Sequence, residues 1–123
     1  MIVTLDTGVL VGLERGDPRC TRLLDRALQR GLSILIPATV VAQAWHSARQ
    51  VRLARLFAAD HVEVVPLSTE HARAIGLLLA ATGTSDIVHG HVALVARMSD
   101  GAVITSDPDE IRRLAADLSL LTI

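Results

Sequence analysis

The sequence predicts an α/β domain with a largely parallel central sheet and helices on both faces. Three observations carry this. Short aliphatic, β-branched runs recur near residues 2–5, 32–36, 62–65 and 102–104, and segments of helical periodicity separate them. No repeat, flexible linker or low-complexity stretch breaks the alternation. At 123 residues the chain suits one domain spanning 1–123 and is short for two. Strands joined through helices pair in parallel by right-handed crossovers, and in such sheets sites lie at the carboxyl ends of strands.

The elements follow in order. Ile2 to Leu5 reads as a buried strand stopped by the polar turn Asp6-Thr7-Gly8. From Asp17 to Arg30, Leu23, Leu24, Ala27 and Leu28 recur at helical spacing, with Arg22, Arg26 and Arg30 on another face and Gly31 as the stop. Leu32 to Ile36 forms a second strand, and Pro37 is suited to begin a helix, since its missing N–H sacrifices no helical bond. That helix runs through Trp45, and another covers Arg49 to Phe57. Val62 to Val65 is a third strand. Ser68 caps a helix from Thr69 to Ala81, with Ala72, Ile75 and Leu79 expected to face the sheet. After the Thr82-Gly83-Thr84-Ser85 turn a helix spans roughly Asp86 to Met98, and Ala102 to Ile104 is a fourth strand. Asp107-Pro108-Asp109-Glu110 resembles a helix start with an Asp cap, and Leu118 to Ile123 offers a last short strand.

Composition excludes several classes. Half the residues are hydrophobic and a fifth charged, which rules out disorder; with only Trp45 and Phe57 as large aromatics, the core must be aliphatic. Twelve basic residues, all arginine, against 13 acidic ones give a net charge of -1, so nucleic-acid binding would need a local patch. Cys20 is the only cysteine, which excludes an internal disulfide and a cysteine zinc cluster. The opening residues show no basic leader before a long apolar run, and no run reaches bilayer length, so the expected location is cytoplasmic, without membrane association.

Strand-end logic selects Asp6 and Asp107, with Asp86 at the start of the long intervening helix. Carboxylates gathered in one cleft repel one another and resist desolvation, so a hard cation is their natural counterion, and Mg²⁺ or Mn²⁺ suits oxygen ligands better than zinc. Asp6, Asp86 and Asp107 are therefore candidate metal ligands and catalytic residues, able with the ion to activate water for attack on phosphorus. Asp109 is a further catalytic candidate, through a hydrogen bond to such a water or a second ion. Each acid also has a structural reading: Asp6 ends a strand, Asp86 and Asp107 favour helix starts, and Asp109 is a first-turn acid. His89 shares a helical face with Asp86, while His91 points elsewhere. His46, His61 and His71 are scattered and form no His-Glu-x-x-His zinc motif.

The order of these residues resembles the PIN domain, especially the VapC-like toxin ribonucleases of toxin–antitoxin pairs. Ile2-Val3-Thr4-Leu5-Asp6-Thr7-Gly8-Val9-Leu10 is similar to that family's first-strand acidic motif, Ser85-Asp86-Ile87-Val88 to its helix-start acid, and Val103-Ile104-Thr105-Ser106-Asp107 to its later strand and Thr-x-Asp. The resemblance covers essentially the whole chain. It implies a three-layer α/β/α fold, Mg²⁺- or Mn²⁺-dependent cleavage of RNA, a small antitoxin partner and a homodimer. It also implies metal ligation by Asp6, Asp86 and Asp107, with Asp109 or Glu110 as supporting acids. Two departures matter. Gln43 stands where many relatives place a glutamate, keeping a carbonyl but losing charge, and His89 stands where some have an aspartate. These departures support an alternative, a weak or inactive PIN-like module that binds protein or RNA.

Arg49, Arg52 and Arg55 recur every three residues as candidate phosphate contacts, or as an ordinary solvated face; Arg15 and Arg19 are alternatives. Trp45 is a candidate for base stacking or, more simply, for packing. The apolar segment from Pro37 through Phe57 is a candidate dimer interface. A phosphatase on a similar sheet would need an Asp-x-Asp pair that the early Asp6-Thr7-Gly8 lacks, and a nucleotide switch lacks its Walker loop.

Overall fold

The computed structural model describes residues 1–123. Five strands form one parallel sheet in the order β3-β2-β1-β4-β5. They are β1 (Ile2–Leu5), β2 (Ser33–Pro37), β3 (Val62–Val65), β4 (Ala102–Thr105) and β5 (Leu120–Thr122). Seven helices intervene: α1 (Thr7–Arg15), α2 (Pro18–Gln29), α3 (Ala38–Ala44), α4 (Val51–Ala58), α5 (Thr69–Thr82), α6 (Ile87–Ser99) and α7 (Pro108–Leu114). The result is a three-layer α/β/α domain, as the strand–helix alternation predicts.

The central strand β1 pairs Thr4 with Leu35 on one side and with Val103 on the other. Its neighbours on both flanks and helices on both faces leave Val3, Thr4 and Leu5 buried. The main core gathers Leu5, Val9, Leu10, Leu24, Ile34, Ile36, Val92 and Ile104, among others, from the sheet and from both helical layers. With no aromatic at its centre, branched aliphatic side chains must fill the space between layers by interdigitation.

Several expectations shift. Asp6-Thr7-Gly8 is no free turn: α1 starts at Thr7, and the Asp6 side chain accepts from the Thr7 N–H as its N-cap. Pro37 ends β2 and sits at the N-cap of α3, with φ -59° and ψ 139°; an extended ψ closes the strand before the helix begins. Asp107 stands at the N-cap of α7 but makes no capping bond, because its carboxylate turns towards α6. The stripe on α5 faces α6 and α7, not the sheet: Ile75 and Leu79 pack with Ala93, Leu114 and Ala115, and Ala72 is exposed. The sheet face is already taken by α6, whose middle from Gly90 to Ala96 is buried except at Leu94.

In the apolar segment offered as a dimer interface, Val40, Ala44, Leu53 and Leu56 belong to the core, while Trp45 and Val51 remain exposed. Trp45 packs against Phe57, with ring centroids 6.0 Å apart and planes tilted by 42°. That contact ties the end of α3 to α4.

Candidate active site

The carboxyl ends of β1 and β4 lie side by side, with Leu5 paired to Ile104, so the residues following each strand emerge together. Asp6 follows β1 and Asp107 lies just beyond β4, while Asp86 caps α6, which packs across β1 and β4. The α1 start approaches the strand end after β4 closely at Gly8, where a Cβ would collide with Ser106 Oγ unless that side chain turned away.

Asp6 is only 2% exposed. Its Oδ1 accepts from Thr7 N at 2.8 Å and its Oδ2 from Thr105 Oγ1 at 2.7 Å. Thr105 Oγ1 in turn accepts from Asp107 N at 2.9 Å, so one buried hydroxyl orients both acids. Thr7 Oγ1 donates to Gln43 Oε1 at 2.6 Å, which joins α3 to the site.

His89 lies among the three aspartates. Its Nε2 is 3.4 Å from Asp6 Oδ2 and 3.8 Å from Asp107 Oδ2, and its Nδ1 is 3.0 Å from Asp86 Oδ2. The Nδ1 contact is coulombic, since Nδ1 has no hydrogen-bond partner; Asp86 instead caps α6 by accepting from His89 N through Oδ1 at 3.1 Å. The facing Asp6 carboxylate raises the His89 pKa to about 9 against a smaller penalty from burial, and the charges of Asp86 and Asp107 add to the rise. For Asp6, burial pushes the carboxyl up, but His89, Thr105 and the Thr7 N–H together hold it below the usual carboxylate value. An imidazolium thus offsets repulsion among the carboxylates.

Asp86 and Asp107 are about half exposed, with side-chain values of 44% and 48%, and give the cluster an open side. From Asp86 a shallow polar cleft continues along Thr84, Ser85, Glu110 and Arg113. No three His, Cys, Asp or Glu side chains are already drawn around one ion-sized point. By donor chemistry the three carboxylates still fit a hard divalent cation: Asp6 is anchored by donors, while Asp86 and Asp107 reach solvent. Gln43 brings a carbonyl and no charge.

The structure thus brings together Asp6, Asp86, Asp107 and His89. Asp109 does not join them: its side chain is 91% exposed and pairs with Arg112 at 3.7 Å. Glu110 pairs with Arg113 at 3.5 Å on the cleft rim. Arg52 donates to Glu14 O at 3.0 Å, which makes it a tether for the end of α1, and Arg19 pairs with Asp17 at 3.3 Å. Sequence reasoning gave no role to Thr7 or Thr105. A hydroxyl two residues before an acid at a strand end was the available signal for Thr105.

Fold and site together define a parallel α/β domain with an acidic centre at its strand ends. The PIN domain family profile matches residues 3–117, and the chain belongs to that family. No curated protein sequence matches significantly. Among solved structures, the chain is similar to one in VapBC2 from Rickettsia felis bound to a DNA fragment from their promoter, with TM-score 0.73, 19% identity and coverage of 100% and 99% of the two chains. It is also similar to one in FitAB bound to an IR36 DNA fragment, with TM-score 0.70, 17% identity and coverage of 99% and 94%. A chain of FitAcB from Neisseria gonorrhoeae gives TM-score 0.62 at 17% identity, covering 99% and 97%. At these identities the likeness is one of fold. No helix is long and apolar enough to cross a membrane.

Proposed function

We propose that this chain is a divalent-metal-dependent endoribonuclease and the toxin half of a toxin–antitoxin pair. The observation that carries the reading is the gathering of Asp6, Asp86 and Asp107, from three separate parts of the chain, around the His89 ring with one side open to solvent. Membership of the PIN family supports a nuclease, and similarity to chains of VapBC2 and FitAB supports a small protein partner.

In this reading Asp6, Asp86 and Asp107 hold Mg²⁺ or Mn²⁺, which when bound supplies Lewis acidity and offsets charge developing on the phosphate oxygens. Thr105 and Thr7 fix the direction of the Asp6 oxygens, Asp86 lines the polar cleft, and the half-exposed Asp107 opens to the solvent from which an RNA phosphodiester would approach. No covalent nucleophile is required, since water attacks in line. A homodimer is part of the proposal and is tested by molar mass at several concentrations.

A second reading is a weakly active or inactive module that binds RNA or protein. Gln43 and the His89 imidazolium among the aspartates favour it, because both reduce the negative charge offered to a cation. The deciding experiment incubates a mixed cellular RNA pool with wild-type protein and Asp6→Asn, with Mg²⁺ or Mn²⁺ and with chelator. Discrete cleavage lost in the variant and in chelator supports the nuclease. Cleavage that survives Asp6→Asn overturns this assignment of the centre, and no wild-type cleavage favours the binding module.

A further inference from the structure

At the end of the sheet away from the acidic centre, the layer carrying α2 leaves an apolar groove. The cause is topological. The β1–β2 and β2–β3 connections place α1, α2, α3 and α4 towards the β2 and β3 side, whereas β4 and β5 are reached through α5, α6 and α7. On the α2 face, therefore, β4 is approached only by α1, near its carboxyl end, and the amino-terminal half of β4 with β5 is left to a groove. Register places Val3 beside Ala102, and Ile104 beside Leu121, on that face. Val3, Ile104 and Ala27 form its buried floor, and the more accessible Leu23, Leu120 and Leu121 flank it. Leu121 is 46% exposed at the sheet edge.

The walls also carry Arg26 and Arg30, with no acidic residue among the lining. These two and Arg22 are exposed and repeat every fourth residue along α2, and none makes an ion pair; the arginines that do are Arg19, Arg97, Arg112 and Arg113. An apolar trough of about 440 Å³ with a one-sided cationic rim lacks the convergent polar groups that orient a small ligand. It has instead the features that receive an amphipathic helix: an apolar floor and charges spaced one helical turn apart.

We propose that this groove docks an acidic amphipathic α-helix of a partner protein, which lies alongside α2 with its leucine-type face on Leu23, Leu120 and Leu121 and its carboxylates on Arg26 and Arg30. A second copy of this chain is a poorer occupant, because a two-fold contact here would set the arginines of one α2 against those of the other. The groove lies at the Met1 and Ala102 end of the strands, so docking leaves the acidic centre at the other end uncovered.

The test measures fluorescence anisotropy of a panel of labelled acidic amphipathic helices that differ in the register of their leucine stripe, each with a lysine-for-glutamate counterpart. Wild-type protein should bind at least one acidic helix in a salt-sensitive way, and Asp6→Asn should bind it equally. Arg26→Glu/Arg30→Glu should weaken the acidic helix by about tenfold or more and gain binding of its lysine counterpart. Circular dichroism and thermal melting verify that the variant is folded. Equal binding of both charge types, no binding by any member of the panel, or indifference to the double substitution overturns the proposal. A dimer by light scattering that Leu121→Glu dissociates would assign the groove to a second copy, and binding to anionic vesicles without helix binding would assign it to a lipid surface; either also overturns it. Neither result bears on nuclease activity, so this proposal and the catalytic reading fail separately.

Discussion

Thr105 Oγ1 donates to Asp6 Oδ2 at 2.7 Å across 99 residues of sequence, and the same oxygen accepts the Asp107 N–H at 2.9 Å. Two acids on adjacent strand ends are thus set by one hydroxyl. Thr105→Val keeps the shape and removes this link, leaving the buried Asp6 short of a donor. Hydrogen bonds to charged groups contribute roughly 1.5–3 kcal/mol, so denaturant unfolding should show a loss of that order. RNA cleavage should fall more than the loss of folded protein explains, and Thr105→Ser should restore both. A Thr105→Val protein of wild-type stability and activity would remove Thr105 from the site.

His89 gives the acidic centre a pH signature, measured in chelator. Its folded pKa of about 9 exceeds the ordinary 6.5, so its stabilisation is complete below about 6.5 and is lost as pH rises through about 9. The Asp6 pKa is lowered from 3.8, so its contribution is present above 3.8 and is lost as pH falls through the depressed value. The penalty of His89→Gln in urea unfolding should therefore be largest between those limits and should shrink as pH rises past about 9. A penalty independent of pH would mean that the ring acts by packing alone.

His91 has the opposite sign. It is fully buried, its Nδ1 lies 2.8 Å from Thr39 Oγ1, and this bond clamps α3 to α6. Burial pushes its pKa below 6.5 and nearby His71 adds to the shift, while the Pro66 backbone opposes it. Its neutral form is favoured in the fold, so this contribution is present above 6.5 and is lost as pH falls through the depressed value. His91→Gln should flatten the decline in stability on mild acidification. Thr39→Val should cost about 1 kcal/mol at neutral pH in the same assay.

Gly90 decides how closely α5 and α6 approach. Alanine there gains about 1 kcal/mol of helix propensity, but its Cβ would lie 2.8 Å from Ile75 Cγ2, and overpacking costs about 1–3 kcal/mol. The packing cost should win, lowering thermal stability. Ile75→Leu removes the offending γ-methyl and should reverse the sign in the double variant. Additive effects of the two changes would show that α5 and α6 separate freely.

Strand–helix alternation and the uninterrupted aliphatic runs were enough to predict a parallel sheet with helices on both faces, because periodicity is a local property that each segment carries in itself. The same is true of Asp6, Asp86 and Asp107, which are marked by strand ends and a helix start. What tertiary structure alone decided is the ordering of layers and the side-chain partnerships across them. Ile75 and Leu79 form a helical stripe in any context, but only the prior claim of α6 on the sheet turns them towards α6 and α7. Asp107 and Asp109 sit in the same helix-start pattern, yet one faces His89 and the other solvent. His89 becomes the cation of the site because residues 6, 86 and 107 meet at its ring, and a meeting of distant residues depends on strand order and register. Those are set by the packing of the whole chain, and no short stretch of it encodes them.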